Sequence, residues 1–154
     1  MRVIYFLLLV VFAFSCKNDK SKEKNLDLLQ YGFPISINAP ENAEVKTSDF
    51  GIMQDLTVKG DDNYSIQILK GEATTNDVAK SKAEQLSLVK SGMYFSKVIE
   101  EYEDGFIFEK DIDGKLNYDF RYIKIMGDQE YIFQTGLIGT FTESEVKDLY
   151  ASVK

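Results

Sequence analysis

The chain has 154 residues, with 18 basic and 25 acidic side chains, one cysteine, no histidine and no tryptophan. Without histidine, Ser-His-Asp and Cys-His catalysis and nearly all protein zinc and copper sites are excluded. The formal charge of −7, with no lysine or arginine cluster beyond residue 25, argues against a nucleic-acid partner. We therefore expect no catalytic residue, no metal site and no cofactor.

An apolar leader occupies residues 1–15. Arg2 precedes an unbroken apolar run of 12 residues, Val3–Phe14, and the small residue Ser15 follows it. A positive start, a short apolar run and a small residue before the cleavage point are typical of a secretory signal peptide. The run is too short for a transmembrane helix, which needs about 20 apolar residues.

Cys16 directly follows this leader and precedes the polar stretch KNDKSKEKN. In this position it resembles the acylated cysteine of bacterial lipoprotein signals. The resemblance implies that residues 1–15 are removed and that acyl chains such as palmitate hold Cys16 in a lipid bilayer. In some bacteria, an aspartate directly after the cysteine retains lipoproteins in the inner membrane. Lys17 occupies that position here, so we expect the protein to be anchored in the outer membrane, with its domain on the periplasmic or the outer side. The alternatives are a plain secretory signal and a retained membrane anchor.

The mature chain is predicted to consist of a tether and one domain. Residues 16–25 comprise the lipidated cysteine and a lysine-rich segment without apolar side chains, which predicts a flexible tether. Residues 26–154 carry 13 basic and 23 acidic side chains and have a common length for one domain. We expect the domain to be a monomer. We expect no disulfide, because acylation of Cys16 leaves no free thiol.

The periodicity of the apolar residues predicts an α+β fold. Alternation between turns rich in Gly, Asp and Asn predicts strands over residues 33–38, 52–59, 64–69, 95–102, 105–111, 116–126 and 130–138. Helical spacing predicts a middle helix over about 75–91 and a C-terminal helix over about 142–153. We expect an antiparallel sheet of about six or seven strands with both helices packed on it.

Both predicted helices carry start signals. Thr74 with Asp77 forms an approximate capping box for the middle helix, and Thr142 with Glu145 forms a cleaner one for the C-terminal helix. The stripes expected to face the sheet are Ala79, Ala83, Leu86 and either Val89 or Lys90 in the first helix, and Val146, Leu149, Tyr150 and Val153 in the second. Lys147 is expected on the opposite face of the second helix.

The order of elements and the opening segment FPISINAPENAEV resemble the PsbP-like fold, over residues 31–153. That fold recurs in small bacterial envelope lipoproteins. The resemblance implies a domain for binding or assembly support rather than an enzyme, by analogy of fold.

Several short motifs resemble catalytic or metal-binding motifs, but local structure explains them more simply. Ser87-x-x-Lys90 matches a serine–lysine catalytic pattern, but its companion motifs are missing and both residues fall in a predicted amphipathic helix. Asp111-x-Asp113-Gly114 begins like a calcium loop, yet Phe120 occupies the position of the bidentate glutamate, so a hairpin turn is expected. The acidic cluster Glu100–Asp104 is expected to be a solvated strand end.

Two functions from different classes follow. The leading hypothesis is a non-catalytic, membrane-anchored envelope lipoprotein that binds a protein or a small ligand. The alternative is a hydrolase that uses carboxylates alone, which would need two close, buried acids. Candidate ligand-binding side chains are Tyr118, Tyr122 and Tyr131, which could line a groove.

Overall fold

The computed structural model describes residues 22–154. Over this range the strands are β1 Glu23–Asp27, β2 Ser36–Pro40, β3 Glu44–Asp49, β4 Met53–Lys59, β5 Ser65–Glu72, β6 Phe95–Glu101, β7 Gly105–Ile112, β8 Lys115–Met126 and β9 Gln129–Thr135. The helices are α1 Val78–Lys90, α2 Glu143–Ser152 and a short 3₁₀ helix, Leu29–Tyr31. No helix within the described range is long and apolar enough to cross a membrane.

Seven strands form one antiparallel sheet in the order β3-β4-β5-β9-β8-β7-β6. β1 and β2 pair separately, with Leu26 opposite Ile37. The predicted α+β fold is confirmed: an antiparallel sheet carries one middle helix and one C-terminal helix.

The sheet separates two apolar clusters of unequal size. The larger cluster joins the sheet to α2 and to the β1–β2 pair, and its buried side chains include Phe33, Leu56, Phe120, Tyr131 and Val146. The smaller cluster lies under α1 and contains Val89, Phe106 and Phe108. Successive residues of a strand face opposite sides, so Ile107, between the two phenylalanines, belongs to the larger cluster.

The middle helix starts later than predicted, and a different face is buried. Its N-cap is Asp77 rather than Thr74, and the Asp77 carboxylate accepts N–H bonds from Ala79 (2.9 Å) and Lys80 (3.2 Å). The predicted stripe is wrong at Ala79 and also at Ala83, which are exposed. Ser81 is buried instead, because its hydroxyl donates to the Glu130 carboxylate of β9.

The C-terminal helix begins as predicted. Thr142 Oγ1 accepts the N–H of Glu145 (3.3 Å), and the Glu145 carboxylate accepts the N–H of Thr142 (2.7 Å). The expected stripe of Val146, Leu149, Tyr150 and Val153 is buried. The expectation for Lys147 is wrong: its ammonium is 2.5 Å from a carboxylate oxygen of Glu100 in β6.

Two strands were not predicted, and one of them overlaps the predicted tether. Residues 23–25 belong to β1, where Glu23 pairs with Pro40 and Asn25 with Asn38. The ordered domain therefore includes Glu23, and residues 23–25 are part of a strand rather than of a flexible segment. β3 is the other unpredicted strand, and among its residues only Val45 is half-buried.

Candidate functional site

A cavity of about 270 Å³ lies between the C-terminal end of α1, the turn that follows it, and strands β7 and β8. We call it the α1 pocket. Its lining residues are Leu88, Val89, Gly92, Met93, Tyr94, Phe95, Phe108, Lys110, Asp119 and Arg121. Apolar walls with a few convergent polar groups are the usual composition of a ligand pocket, so this cavity is the candidate site.

The register of β7 and β8 assembles the charged part of the pocket. Phe108 lies opposite Asp119, and Phe106 lies opposite Arg121. Lys110 follows Phe108 by two residues and therefore projects from the same face of the sheet. The residues between them project from the other face of the sheet into the larger cluster. The same alternation therefore places two cations and one carboxylate under α1.

Asp119 is a buried anion between the two cations. Its Oδ2 is 3.1 Å from Lys110 Nζ, and its Oδ1 is 3.3 Å from Arg121 Nη1. Oδ1 also accepts the N–H (3.0 Å) and the hydroxyl (2.8 Å) of Thr135 in β9. Burial opposes ionisation, but the charges of Arg121 and Lys110 and the bonds from Thr135 outweigh it and hold the pKa of Asp119 below its ordinary value. Asp119 therefore fixes both cations in place.

Phe108 forms an aromatic base beside these cations. The Lys110 ammonium lies 5.9 Å from the ring centroid and the Arg121 guanidinium carbon lies 5.3 Å from it, both within cation–π range. Two cations and one carboxylate leave the charged lining with a net positive charge. The pocket is thus suited to an anionic group in a domain that is acidic overall.

Arg121 retains hydrogen-bonding capacity. Its Nη1 donates to the carbonyl of Phe120 (2.7 Å) and contacts Asp119. A guanidinium carries five N–H donors in a fixed fork, so Arg121 has donors beyond these two contacts within the described part of the chain. This geometry is suited to a carboxylate or a phosphate.

The rim of the pocket is apolar and exposed. Met93 is 87% exposed, and Leu88 and Tyr94 are exposed as well. Val89 and Phe95 continue this apolar surface into the cavity wall. A ligand that combines an anionic group with an apolar part would contact both halves of the lining.

The second buried carboxylate of residues 22–154, Glu109, is not part of the α1 pocket. It lies between Phe108 and Lys110 in β7 and therefore faces the other side of the sheet. Its carboxylate accepts bonds from the hydroxyls of Ser96 (2.8 Å) and Tyr118 (3.0 Å), and the Ser96 bond is the main cause that lowers the pKa of Glu109. Asp119 and Glu109 are both held ionised on opposite faces, so they do not form an acid–base pair.

The three tyrosines proposed from the sequence do not line an open groove. Tyr122 and Tyr131 are buried in the larger cluster, where Tyr131 packs against Phe33 with ring centroids 6.2 Å apart. Tyr118 is half-buried and donates its hydroxyl to Glu109. The three side chains share the face that α2 and the β1–β2 pair cover, and these elements fill the space in which a ligand would bind.

The other sequence motifs lie where turns and ion pairs explain them. Asp111–Gly114 forms the β7–β8 turn, in which the Gly114 N–H donates to the Asp111 carboxylate (2.7 Å). Ser87 and Lys90 are both exposed on α1. Over residues 22–154, no three His, Cys, Asp or Glu side chains are grouped to hold a metal ion. Cys16 lies outside the described residues.

Sequence reasoning missed the α1 pocket. In β8, Asn117, Asp119 and Arg121 alternate with aromatic residues, a pattern that suggests a row facing solvent. The signal was available in the opposite charges of Lys110 and Asp119 on neighbouring predicted strands. These opposite charges indicate a pocket only when it is known that α1 lies over them.

Comparison with known proteins gives no relative. No protein-family model matches the chain, and no curated protein and no solved structure matches it. The α1 pocket and the leader are therefore the features of this chain that bear on its function.

Proposed function

We propose that the protein is a lipid-anchored lipoprotein of the bacterial outer membrane whose domain binds a ligand without catalysis. The ligand carries a carboxylate or phosphate together with an apolar part, and it occupies the α1 pocket. The observation that carries this proposal is the Lys110–Asp119–Arg121 cluster on the Phe108 ring, beside the exposed apolar rim. The resemblance to PsbP-like envelope lipoproteins supports a binding or assembly-support role.

The alternative, a hydrolase based on carboxylates, has less support. Such an enzyme needs one carboxyl with a raised pKa as the acid and a second one nearby. Asp119 and Glu109 instead have lowered pKa values and project from opposite faces of the sheet.

Ligand binding is tested with octanoate as the probe, on the full chain carrying Cys16→Ala to remove the acyl group. We expect octanoate to raise the melting temperature saturably, octanol to have little effect, and Arg121→Gln to abolish the response to octanoate. Lys80→Gln, at an exposed position of α1, is the matched control and should respond like the parent. An undiminished response in Arg121→Gln would show that the α1 pocket is not the binding site.

The anchor is tested separately by mass spectrometry of the mature N-terminus. We expect an acylated Cys16, and we expect Cys16→Ala to release the protein from the membrane fraction or to leave it unprocessed. An unmodified thiol on an intact Cys16 would contradict the proposed anchor.

A further inference from the structure

The described chain enters the domain at one end of the sheet. The carbonyl of Lys22 accepts the N–H of Glu41 (3.0 Å), just after β2. The neighbouring Asn42 donates its side-chain amide to Asp61 (2.5 Å), in the turn between β4 and β5. The entry point therefore lies beside the β4–β5 turn.

Two exposed apolar residues lie at the same end. Asn63, also in the β4–β5 turn, donates its side-chain amide to the carbonyl of Thr140 (3.1 Å). This bond places the loop 136–141, which follows β9, next to the entry point. In that loop Leu137 is 81% exposed and Ile138 is 79% exposed. We call Lys22, the turns 40–43 and 60–64 and this loop the tether end.

Further exposed apolar side chains continue from the tether end. Tyr118, near the start of β8, donates its N–H to the carbonyl of the last residue of the loop 136–141 (3.0 Å). Leu116, two residues earlier, is exposed and pairs with Asp111. Asp111 donates its N–H to the carbonyl of Tyr94 (2.8 Å), so the exposed Met93 also lies at this end of the sheet.

The covalent reach from Cys16 is short. Five residues, 17–21, separate Cys16 from Lys22. An extended chain spans at most about 3.6 Å per residue, so the two Cα atoms, six residue steps apart, are at most about 22 Å from each other. A 12-residue strand such as β8 is about 40 Å long. The entry point at the tether end therefore stays within about 22 Å of Cys16 and its bilayer, while the opposite end of the sheet can lie much farther away.

We propose that Leu137 and Ile138 insert into the surface of the phospholipid bilayer in which Cys16 is anchored. The inference rests on the proposed acylation of Cys16, and it goes further by fixing the orientation of the domain. The same end carries the carboxylates of Glu41 and Asp61 but also Lys22, and both Lys46 and Lys59 lie beside the two apolar side chains. Because charges of both signs are present, the contact with the bilayer is expected to depend on the apolar side chains rather than on headgroup charge.

The chain contains no tryptophan, so one introduced tryptophan is a unique reporter. The purified lipoprotein carrying Ile138→Trp is reconstituted in phosphatidylcholine vesicles whose acyl chains are brominated, which quenches tryptophan fluorescence on contact. The matched control is Ile52→Trp, 91% exposed in the β3–β4 turn at the opposite end of the sheet. Leu137→Trp is a second reporter in case Ile138→Trp fails to fold.

We expect strong quenching of Ile138→Trp or Leu137→Trp and little quenching of Ile52→Trp. Equal quenching at both ends, or no quenching in the loop 136–141, would overturn the proposal. Quenching that appears only when anionic phosphatidylglycerol is added would show that charge rather than apolar insertion holds the loop at the surface, and it would also overturn the proposal.

Flotation separates a failure of the anchor from a failure of the orientation. If the purified protein does not float with the vesicles, Cys16 is not acylated and the proposed anchor is wrong. Conjugation of the Cys16 thiol to a maleimide-bearing phospholipid then supplies the same tether. The quenching of Ile138→Trp in that conjugate decides the orientation.

Discussion

The ammonium of Lys147 in α2 lies 2.5 Å from the carboxylate of Glu100 in β6, and 2.8 Å from that of Glu143 one helical turn earlier. The bond from Lys147 lowers the pKa of Glu100, and the two carboxylates raise the pKa of Lys147. Because β6 is at the edge of the sheet, this pair connects the last helix to the edge strand.

We expect Lys147→Ala to lower the melting temperature slightly at low salt, with the difference disappearing at high salt, because partly exposed ion pairs are weak and screened. The folded pKa of Glu100 is depressed, so its contribution is present above the unfolded pKa and is lost as pH falls through the folded value. The variant should therefore lose less stability than the parent on acidification. Thermal melts of Lys147→Ala and of the control Lys80→Ala at two salt concentrations measure this effect. A fall in the melting temperature of Lys147→Ala that does not depend on salt would contradict the prediction.

Leu149→Ala tests the packing of α2. Leu149 is buried in the larger cluster, and truncation of a buried leucine typically costs about 2–5 kcal/mol of unfolding free energy. Ser144→Ala, at an exposed position of the same helix, should cause little change. Urea unfolding measures both. An unchanged stability in Leu149→Ala would mean that α2 does not depend on its contact with the sheet.

Asp119→Asn tests the charged cluster of the α1 pocket. The substitution leaves Lys110 and Arg121 without their shared counterion, and breaking a buried ion pair costs about 3–5 kcal/mol. The folded pKa of Asp119 is lowered, so the stabilisation exists above the unfolded pKa and is lost as pH falls through the folded value. Unfolding free energies measured against pH should show a large difference at neutral pH that shrinks in acid. A constant difference would exclude a charge effect.

Gly105→Ala tests the contact of β7 with α2. A Cβ at Gly105 would come within 2.7 Å of Tyr150 Oη and still closer to the carbonyl oxygen of Arg121. Forced overpacking typically costs about 1–3 kcal/mol. Gly71→Ala is the control, because its Cβ would meet no atom closer than 3.9 Å. Thermal melts of equal midpoint for the two variants would contradict the predicted steric clash.

The predictable elements are those whose side chains alone define a buried face. In β8, Phe120 and Tyr122 alternate with polar residues, and in α2 a capping box precedes the apolar stripe, so local pattern and tertiary packing agree. β1 and β3 lack such a face: Leu26 and Val45 are their only partly buried residues. β1 is held in place by main-chain pairing with β2, and β3 by main-chain pairing with β4. Residue composition does not reveal this pairing.

The α1 pocket was harder to predict because its charges resemble solvent-facing residues. Whether Lys110 and Asp119 face water or a helix depends on where α1 crosses the sheet. Polar contacts help to set that crossing: Ser81 donates to Glu130, and Lys82 donates to the carbonyl of Tyr102. The apolar stripe inferred from the sequence instead included Ala79, which is exposed. A polar contact between distant elements leaves no periodic trace.

The edges of the sheet have a consequence for crowding. If Cys16 anchors the protein as proposed, copies in one membrane plane have a higher local concentration than free copies do. At high concentration, an open strand edge can pair with the edge of a neighbouring copy and so lead to aggregation. The β3 edge is almost entirely polar and carries the exposed Lys46, while β6 has register shifts between Phe95 and Lys97 and between Val98 and Glu100. A charged edge and a bulged edge both resist continuation of the sheet into a neighbour. Both edges of the sheet therefore disfavour pairing with the sheet of a neighbouring copy.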